Sequence, residues 1–236
     1  MTSLSVIVPT LNEGKYLRST LESLSSQTHQ DFELIVKDGL STDNTVAIAR
    51  EYADLVISGK DISIGDARNQ GVEHAKGDIL VFLDADTTLD KYALEIIAED
   101  FNLYNIVLLL PKYGSRKERA SAISRTQEDV ARFLIGFENF WRKYVDGFCG
   151  GMLMPVDAST FRKVGGFDRR LACCEDIELS YRLRKVGNVM NDYRVKAYFS
   201  IRRFILSGFV KTLHDYGLNA LRMHLHLLQP EFKSFR

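Results

Sequence analysis

The stretch Gly77-Asp78-Ile79-Leu80-Val81-Phe82-Leu83-Asp84-Ala85-Asp86-Thr87 decides how this chain folds. Ile79 to Leu83 is an apolar run of strand length, and it ends abruptly in two carboxylates separated by one small residue. In extended backbone, residues two apart project to the same side. Asp84 and Asp86 can therefore face one site at the exit of a buried strand. Two hard oxygen ligands held there suit a divalent cation such as Mg²⁺ or Mn²⁺, which in turn suits a bound phosphate. Acidic residues in loops also serve simply to cap the next helix. The unbroken apolar run ahead of this pair favours the functional reading.

Working outward, the same strand grammar recurs. Leu4 to Val8 reads as a strand closed by Pro9, and Leu17, Leu21 and Leu24 recur at helical spacing, which gives a helix over Lys15 to Gln27. Phe32 to Lys37 is a second strand, and Ser41-Thr42-Asp43-Asn44 supplies capping residues for a helix reaching Tyr52. Leu55 to Ile57 is a short third strand, and Gly65 to Ala75 is a helix. The decisive strand comes fourth, followed by a helix over Lys91 to Phe101 and a fifth strand, Ile106 to Leu110, ending at Pro111. Strands alternating with helices at these spacings imply crossover units and a mostly parallel sheet flanked by helices. Ligands of such sheets sit at the carboxyl ends of the strands. Pro9 to Glu13, Asp38 and Asp84 all fall at such ends.

The second half is different in character. Lys112 to Arg125 is polar and basic, with Glu118 its one acid, and reads first as a solvated loop and second as a loop that meets phosphate. Val130 to Tyr144 is helical in pattern and carries the single tryptophan, Trp141. A turn at Gly147-Phe148-Cys149-Gly150-Gly151 leads into a short apolar segment, Met152 to Met154. Glu175 to Val186 is a helix ended by Gly187. Phe204 to Leu228 carries an approximately helical apolar stripe, broken by Gly208 and Gly217. Packing on the main domain is its first reading, and peripheral contact with a membrane surface its second. His224 and His226 lie two apart, the wrong spacing for one helical face, and are assigned no metal.

Composition bounds the function. Hydrophobic residues make up 45% of the 236-residue chain and charged residues 26%, as in an ordinary globular protein large enough for a sizeable core. Lys plus Arg and Asp plus Glu number 31 each, so no global field recruits nucleic acid. Three cysteines, Cys149, Cys173 and Cys174, show neither metal-ligand spacing nor a disulfide framework and fit a reducing compartment. With no signal-peptide pattern and no run of 18 apolar residues, the expectation is a cytoplasmic chain, associated with the membrane's cytoplasmic face if the C-terminal helix binds there.

Taken in order, the motifs Val8-Pro9-Thr10-Leu11-Asn12-Glu13, Asp38-Gly39-Leu40-Ser41-Thr42-Asp43-Asn44-Thr45, Ala67-Arg68-Asn69-Gln70-Gly71, Asp84-Ala85-Asp86 and Glu175-Asp176 make the chain resemble family 2 of the nucleotide-sugar glycosyltransferases. The resemblance covers about residues 3 to 200. It implies an α/β fold of GT-A type, Rossmann-like, over 1–200, with a nucleotide-binding half (1–111), an acceptor-binding half (112–200) and a C-terminal helical extension (201–236). It further implies a nucleotide-sugar donor bound by Pro9, Thr10, Asn12, Glu13, Asp38, Arg68, Asp84, Ala85 and Asp86. Asp38 would meet the base, uracil by first expectation, and Asp84 the ribose. Asp86 would hold Mn²⁺ or Mg²⁺.

Asp176, beside Glu175, is the general base the resemblance assigns, acting on the hydroxyl of a glycan, lipid-linked or protein acceptor with inversion at the anomeric carbon. The helix dipole would also favour this acidic pair at a helix start. The glycine-rich segments before it, Gly147 to Gly151 and Gly165-Gly166-Phe167-Asp168, occur there in the family and favour the base. Gly150, Gly151, Arg202 and Arg203 are weaker acceptor-side candidates. Ser200-Ile201-Arg202-Arg203-Phe204 is only a degenerate echo of the Gln/Arg-x-x-Arg-Trp motif of polymer-making members, so an exposed basic pair is the first reading there. One sugar per acceptor is expected.

Two rivals stand beside this. Asp84-Ala85-Asp86-Thr87-Thr88 fits the aspartate-x-aspartate-x-threonine signature of haloacid-dehalogenase-like phosphatases, with Asp84 as nucleophile. Against it, three βα units precede the motif, which usually follows the first strand. A nonenzymatic nucleotide-sugar-binding protein could dispense with Asp86 and Asp176. A dinucleotide-binding oxidoreductase is disfavoured because no Gly-x-Gly-x-x-Gly follows the first strand.

Overall fold

The computed structural model describes residues 2–116, 129, 132, 133, 135, 136, 139, 149–200 and 202. Its strands are β1 (Leu4–Thr10), β2 (Phe32–Asp38), β3 (Leu55–Ser58), β4 (Ile79–Leu83), β5 (Thr87–Leu89), β6 (Ile106–Ser115), β7 (Leu153–Asp157) and β8 (Asn188–Phe199). The helices are α1 (Leu17–Ser25), α2 (Thr45–Arg50), α3 (Ile64–Val72), α4 (Ala93–Leu103), α5 (Ala158–Lys163) and α6 (Glu175–Arg184). All eight strands join one sheet in the order β3-β2-β1-β4-β7-β6-β8-β5.

The half β3-β2-β1-β4 is parallel, as the alternating pattern required. Beyond β4 the sheet turns mixed: β7 runs antiparallel to β4 and β6, β8 runs parallel to β6, and β5 pairs antiparallel with β8. Alternate residues of the strands feed two cores. Val6, Val8, Val81 and Leu83 pack with Leu17, Leu21, Leu24 and Ile97 on one face, while Ile7, Leu80 and Phe82 pack with Phe161, Phe167 and Leu179 on the other.

Both prolines expected to end strands lie within them. β1 continues through Pro9 to Thr10 along β2, but its ladder with β4 stops at Ile7–Phe82. Pro9, which has no N–H to donate, therefore sits where one side of the strand has no ladder to interrupt. In β6 the register with β8 shifts between Leu110 and Lys112, around Pro111. That irregularity absorbs the missing donor, and the strand runs on to Ser115. The 111/112 division between halves thus falls inside one strand.

Thr87 to Leu89, Leu153 to Asp157 and Asn188 to Phe199 are strands, and Ala158 to Lys163 a helix, that the pattern did not reveal. β8 explains why: it is long and only partly buried, and residues such as Asn191, Asp192, Arg194 and Lys196 break its apolar alternation. The helix expected over Val130 to Tyr144, most of the basic loop to Arg125, Gly147, Phe148, Arg203 and the stripe Phe204 to Leu228 lie wholly or largely outside the described residues. Among the described residues, no helix is long and apolar enough to cross a membrane.

Candidate active site

Two loops at the carboxyl ends of β1 and β2 are knitted into one surface. The Gly39 N–H donates to the Thr10 carbonyl at 2.8 Å. Asn12 accepts the Thr42 N–H on its side-chain oxygen at 2.9 Å and donates its own N–H to Ser41 Oγ at 2.8 Å. Thr45 Oγ1 accepts the Glu13 N–H at 2.8 Å, and Asp43 accepts the Gly14 N–H at 3.0 Å. Asn12 and Leu40 both adopt positive φ, 55° and 69°, a conformation that costs energy for non-glycine residues and persists where surrounding contacts enforce it. The buried Asp38 carboxylate accepts the Leu40 and Ser41 N–H groups, each at 3.1 Å. Sequence reasoning missed the residue beneath this loop: Lys37, fully buried in β2, donates to the carbonyls of Asp38 at 2.9 Å and Gly59 at 2.7 Å and lies 3.6 Å from Asp61. Its signal was a cation in the run Phe32-Glu33-Leu34-Ile35-Val36-Lys37.

At the exit of β4 the chain turns sharply: the Thr87 N–H donates to the Asp84 carbonyl at 3.0 Å, and Thr20 Oγ1 on α1 holds the Ala85 carbonyl at 2.8 Å. Asp84 and Asp86 are brought to the same end of the sheet but take different partners. Asp84 Oδ1 meets Arg68 at 2.9 Å, whereas Asp86 Oδ2 lies 3.0 Å from Arg202.

Arg68, on α3, is only 1% exposed. It donates from Nη1 to Glu175 at 2.6 Å and from Nη2 to Asp84 at 2.9 Å and the Gly151 carbonyl at 3.0 Å, and its guanidinium lies over the Phe167 ring at 5.2 Å. Burial alone would ease its proton off, but Asp84, Glu175 and Asp176 outweigh that and hold it firmly charged. The fork geometry of Arg suits this role, since a Lys could not reach the same set of acceptors.

Asp176 sits on the first turn of α6, after Cys174, whose positive φ of 60° turns the chain into the helix. Asp176 accepts the Gly151 N–H at 2.6 Å and the Ile177 N–H at 2.8 Å. It keeps a partly exposed edge, yet its surroundings remove enough water to raise its pKa to about 7; burial is the main cause and the Glu175 charge adds to it, against Arg68. Gly151 is thereby clamped between Arg68 and Asp176. A Cβ there would fall 2.5 Å from Arg68 Nη2, so the close approach requires glycine. Gly150 lies against Tyr113, whose hydroxyl donates to the Gly150 carbonyl at 2.7 Å.

Arg202 is not the exposed basic residue the sequence suggested. One of its nitrogens lies 2.5 Å from Glu13 and 3.0 Å from Asp86, and its guanidinium covers the Tyr16 ring at 4.4 Å. Among the described residues, the buried Glu13 Oε2 has no hydrogen-bond partner. Among the described residues no three His, Cys, Asp or Glu side chains cluster as a complete metal cage. Two carboxylates sharing one cation, one of them with an oxygen to spare, nonetheless match a hard divalent cation whose remaining ligands come from phosphate.

The carboxylates and the buried arginine gather at the carboxyl ends of the parallel strands, where ligands of open α/β sheets bind. The chain belongs to glycosyl transferase family 2, whose model matches residues 5–165. An uncharacterized glycosyltransferase of Rickettsia typhi is 24% identical over 200 residues, which cover 81% of this chain and 61% of that protein. The chain thus spans about three fifths of that relative's length. Two solved structures share the fold. S. aureus TarS in complex with UDP-GlcNAc superposes with a TM-score of 0.64 at 22% identity over 82% of this chain and 58% of that one. The mannosyltransferase PcManGT from Pyrobaculum calidifontis, in complex with GDP-Man and Mn²⁺, gives 0.73 at 17% identity over 96% and 65%. These likenesses establish the GT-A type α/β fold.

Proposed function

We propose that this chain transfers a sugar from a nucleoside diphosphate donor to an acceptor hydroxyl. The observation that carries the reading is the buried Arg68, which ties the strand-end Asp84 to Glu175 and, through Gly151, sets Asp176 at the same place. Donor-side and acceptor-side groups are thereby parts of one hydrogen-bonded unit.

The roles follow from chemistry. The loops Pro9 to Glu13 and Asp38 to Thr45 form the nucleotide's seat, with Asp38 accepting from the base and Asp84 from the ribose. Asp176, with a pKa near 7, is half ionised at neutral pH, as a general base should be. It takes the proton from the acceptor hydroxyl as that oxygen bonds to the anomeric carbon, while the bond from that carbon to the diphosphate breaks. A single displacement of this kind inverts the anomeric configuration. Glu175 serves as a positioning residue, because its carboxylate is engaged by Arg68. A Mn²⁺ or Mg²⁺ held by Asp86 and Glu13 would supply Lewis-acid stabilisation of the leaving diphosphate.

A UDP-sugar is the first donor expected and a GDP-sugar the second; complexes of both classes occur among proteins of this fold. TarS, the neighbour with UDP-GlcNAc, makes an N-acetylhexosamine the first sugar to try. The acceptor is a glycan, lipid-linked or protein hydroxyl on the cytoplasmic side. The phosphatase alternative is disfavoured, because the would-be nucleophile Asp84 has one oxygen held by Arg68. Its motif also follows the fourth strand of the sheet in sequence.

Thermal-shift screening of nucleotide sugars with and without Mn²⁺ tests the reading. A ligand at 100 times its Kd adds about 2.7 kcal/mol, a shift of about 5–11 °C for a chain of this size. One nucleotide class should raise Tm by that order, and more with Mn²⁺. No shift with any nucleotide sugar, together with phosphate release from a sugar phosphate in the absence of acceptor, would establish the phosphatase instead.

A further inference from the structure

Glu13 and Asp86 belong to different loops, yet one guanidinium nitrogen of Arg202 lies within reach of both, at 2.5 and 3.0 Å. The three side chains are all largely enclosed, so this is not a solvated surface pair. Tyr16 backs the guanidinium with its ring at 4.4 Å, which fixes the cation over the pair. Glu13 Oε2 is buried without a partner among the described residues, so the guanidinium does not exhaust what these carboxylates can accept.

One positive group between two carboxylates performs the electrostatic task that a divalent cation would perform there. Both cannot hold the same oxygens. We propose that Arg202 is a tethered counter-cation of the candidate metal site, occupying it in the absence of donor and making uptake of metal depend on the nucleotide. The inference rests on the metal-assisted reading above. Without nucleotide, taking up a metal ion requires breaking both Arg202 ion pairs and leaves the guanidinium beside a second cation in a partly enclosed space. With a diphosphate present, its negative charge gives the displaced guanidinium a new partner and removes that repulsion. Metal and nucleotide therefore bind with positive coupling, and Arg202 is the residue that sets its size.

The experiment titrates Mn²⁺, followed by the EPR signal of the free ion, into the full chain with and without UDP, GDP replacing it if UDP promotes no uptake. Wild type is compared with Arg202→Ala, Arg202→Gln and the double variant Arg202→Ala/Asp86→Asn. Circular dichroism checks that each is folded, and Arg202→Gln, which keeps a stem over Tyr16, stands in if the alanine variant is not. Wild type should take up Mn²⁺ poorly alone and well with UDP. Removing the guanidinium should tighten binding of Mn²⁺ alone by on the order of tenfold and shrink the effect of UDP by a similar factor. The double variant should lose the gain. Unchanged or weaker binding of Mn²⁺ alone in the single variants, with UDP-dependent uptake intact in wild type, would overturn the inference while leaving the metal-assisted reading standing. Tight binding that persists in the double variant would place the ion elsewhere and also overturn it. No uptake by wild type with either UDP or GDP would bring down the metal-assisted reading and this inference with it.

Discussion

Replacing Arg68 with methionine removes the charge at the centre of the site while keeping an unbranched stem in its place. Two carboxylates then lose their cation. Glu175 is 5% exposed and cannot recover its hydration, whereas the Asp84 side chain, at 18%, can do so in part. Breaking a buried pair from one side costs about 3–5 kcal/mol, because the remaining charge is left uncompensated. Methionine fills most of the vacated volume, so the packing term is minor. The relief available to Asp84 puts the expected loss near the lower end, about 3 kcal/mol at pH 8. The pH dependence carries the physical content.

Asp176, already raised to about 7 with Arg68 pulling against the rise, loses that opposing charge in the variant and titrates at still higher pH in the folded state. A carboxyl whose folded pKa is raised costs nothing below its unfolded pKa, and its penalty grows as pH rises towards the folded value. The variant's deficit should therefore be smaller at pH 5 than at pH 8. Urea unfolding at pH 5, 7 and 8, with ΔG taken from midpoint and slope, reads this directly. A deficit under about 1 kcal/mol at pH 8, or one of equal size at all three pH values, would refute the view that Arg68 neutralises buried charge.

Other perturbations reach separate parts of the structure. Gly151→Ala forces Arg68 Nη2 away from a Cβ that would sit 2.5 Å from it. Transfer should fall about 100-fold, the scale of a small misplacement near the chemistry, with donor affinity read by calorimetry changed much less. Asp100, buried on α4, lies near Asp192 and 2.9 Å from Arg194, and its pKa is raised to about 6, chiefly by burial and then by Asp192. Its ionisation destabilises the fold progressively from about pH 4 to 6, so Asp100→Asn should match wild type near pH 4 and exceed it by about 1–2 kcal/mol at pH 8 in urea titrations. Equal stability at pH 8 would refute that.

How far the site was legible depended on what each residue's neighbours in sequence disclosed. The parallel half of the sheet was readable because β1, β2 and β4 are apolar runs ending in turn or acidic residues. β7 and β8 were not, because β7 is a five-residue strand preceded by glycines and β8 mixes charges into a half-buried strand. The carboxylates Asp38, Asp84, Asp86 and Asp176 announced themselves by position at strand or helix ends. What sequence could not convey was which counter-charge each would find. Arg68 and Glu175 lie 107 residues apart, and Arg202 and Glu13 lie 189 apart. Such pairings are made by the fold as a whole and leave no local pattern. Arg202 illustrates this: two adjacent arginines read as a solvated surface, yet the first reaches back across the sheet to α1's leading loop.

Single-turnover transfer by Asp176→Asn, measured beside donor binding by calorimetry, addresses the proposed chemistry most directly. Asparagine keeps the shape and can still accept the Gly151 N–H, but it cannot take a proton. Donor affinity should stay within about threefold of wild type while the transfer rate falls by 10²- to 10⁴-fold. In wild type, the rate should rise as pH passes through about 7 and level off above it, because the base must be ionised to act. Transfer by Asp176→Asn within tenfold of wild type, with the same pH profile, would contradict the assignment of Asp176 as the base.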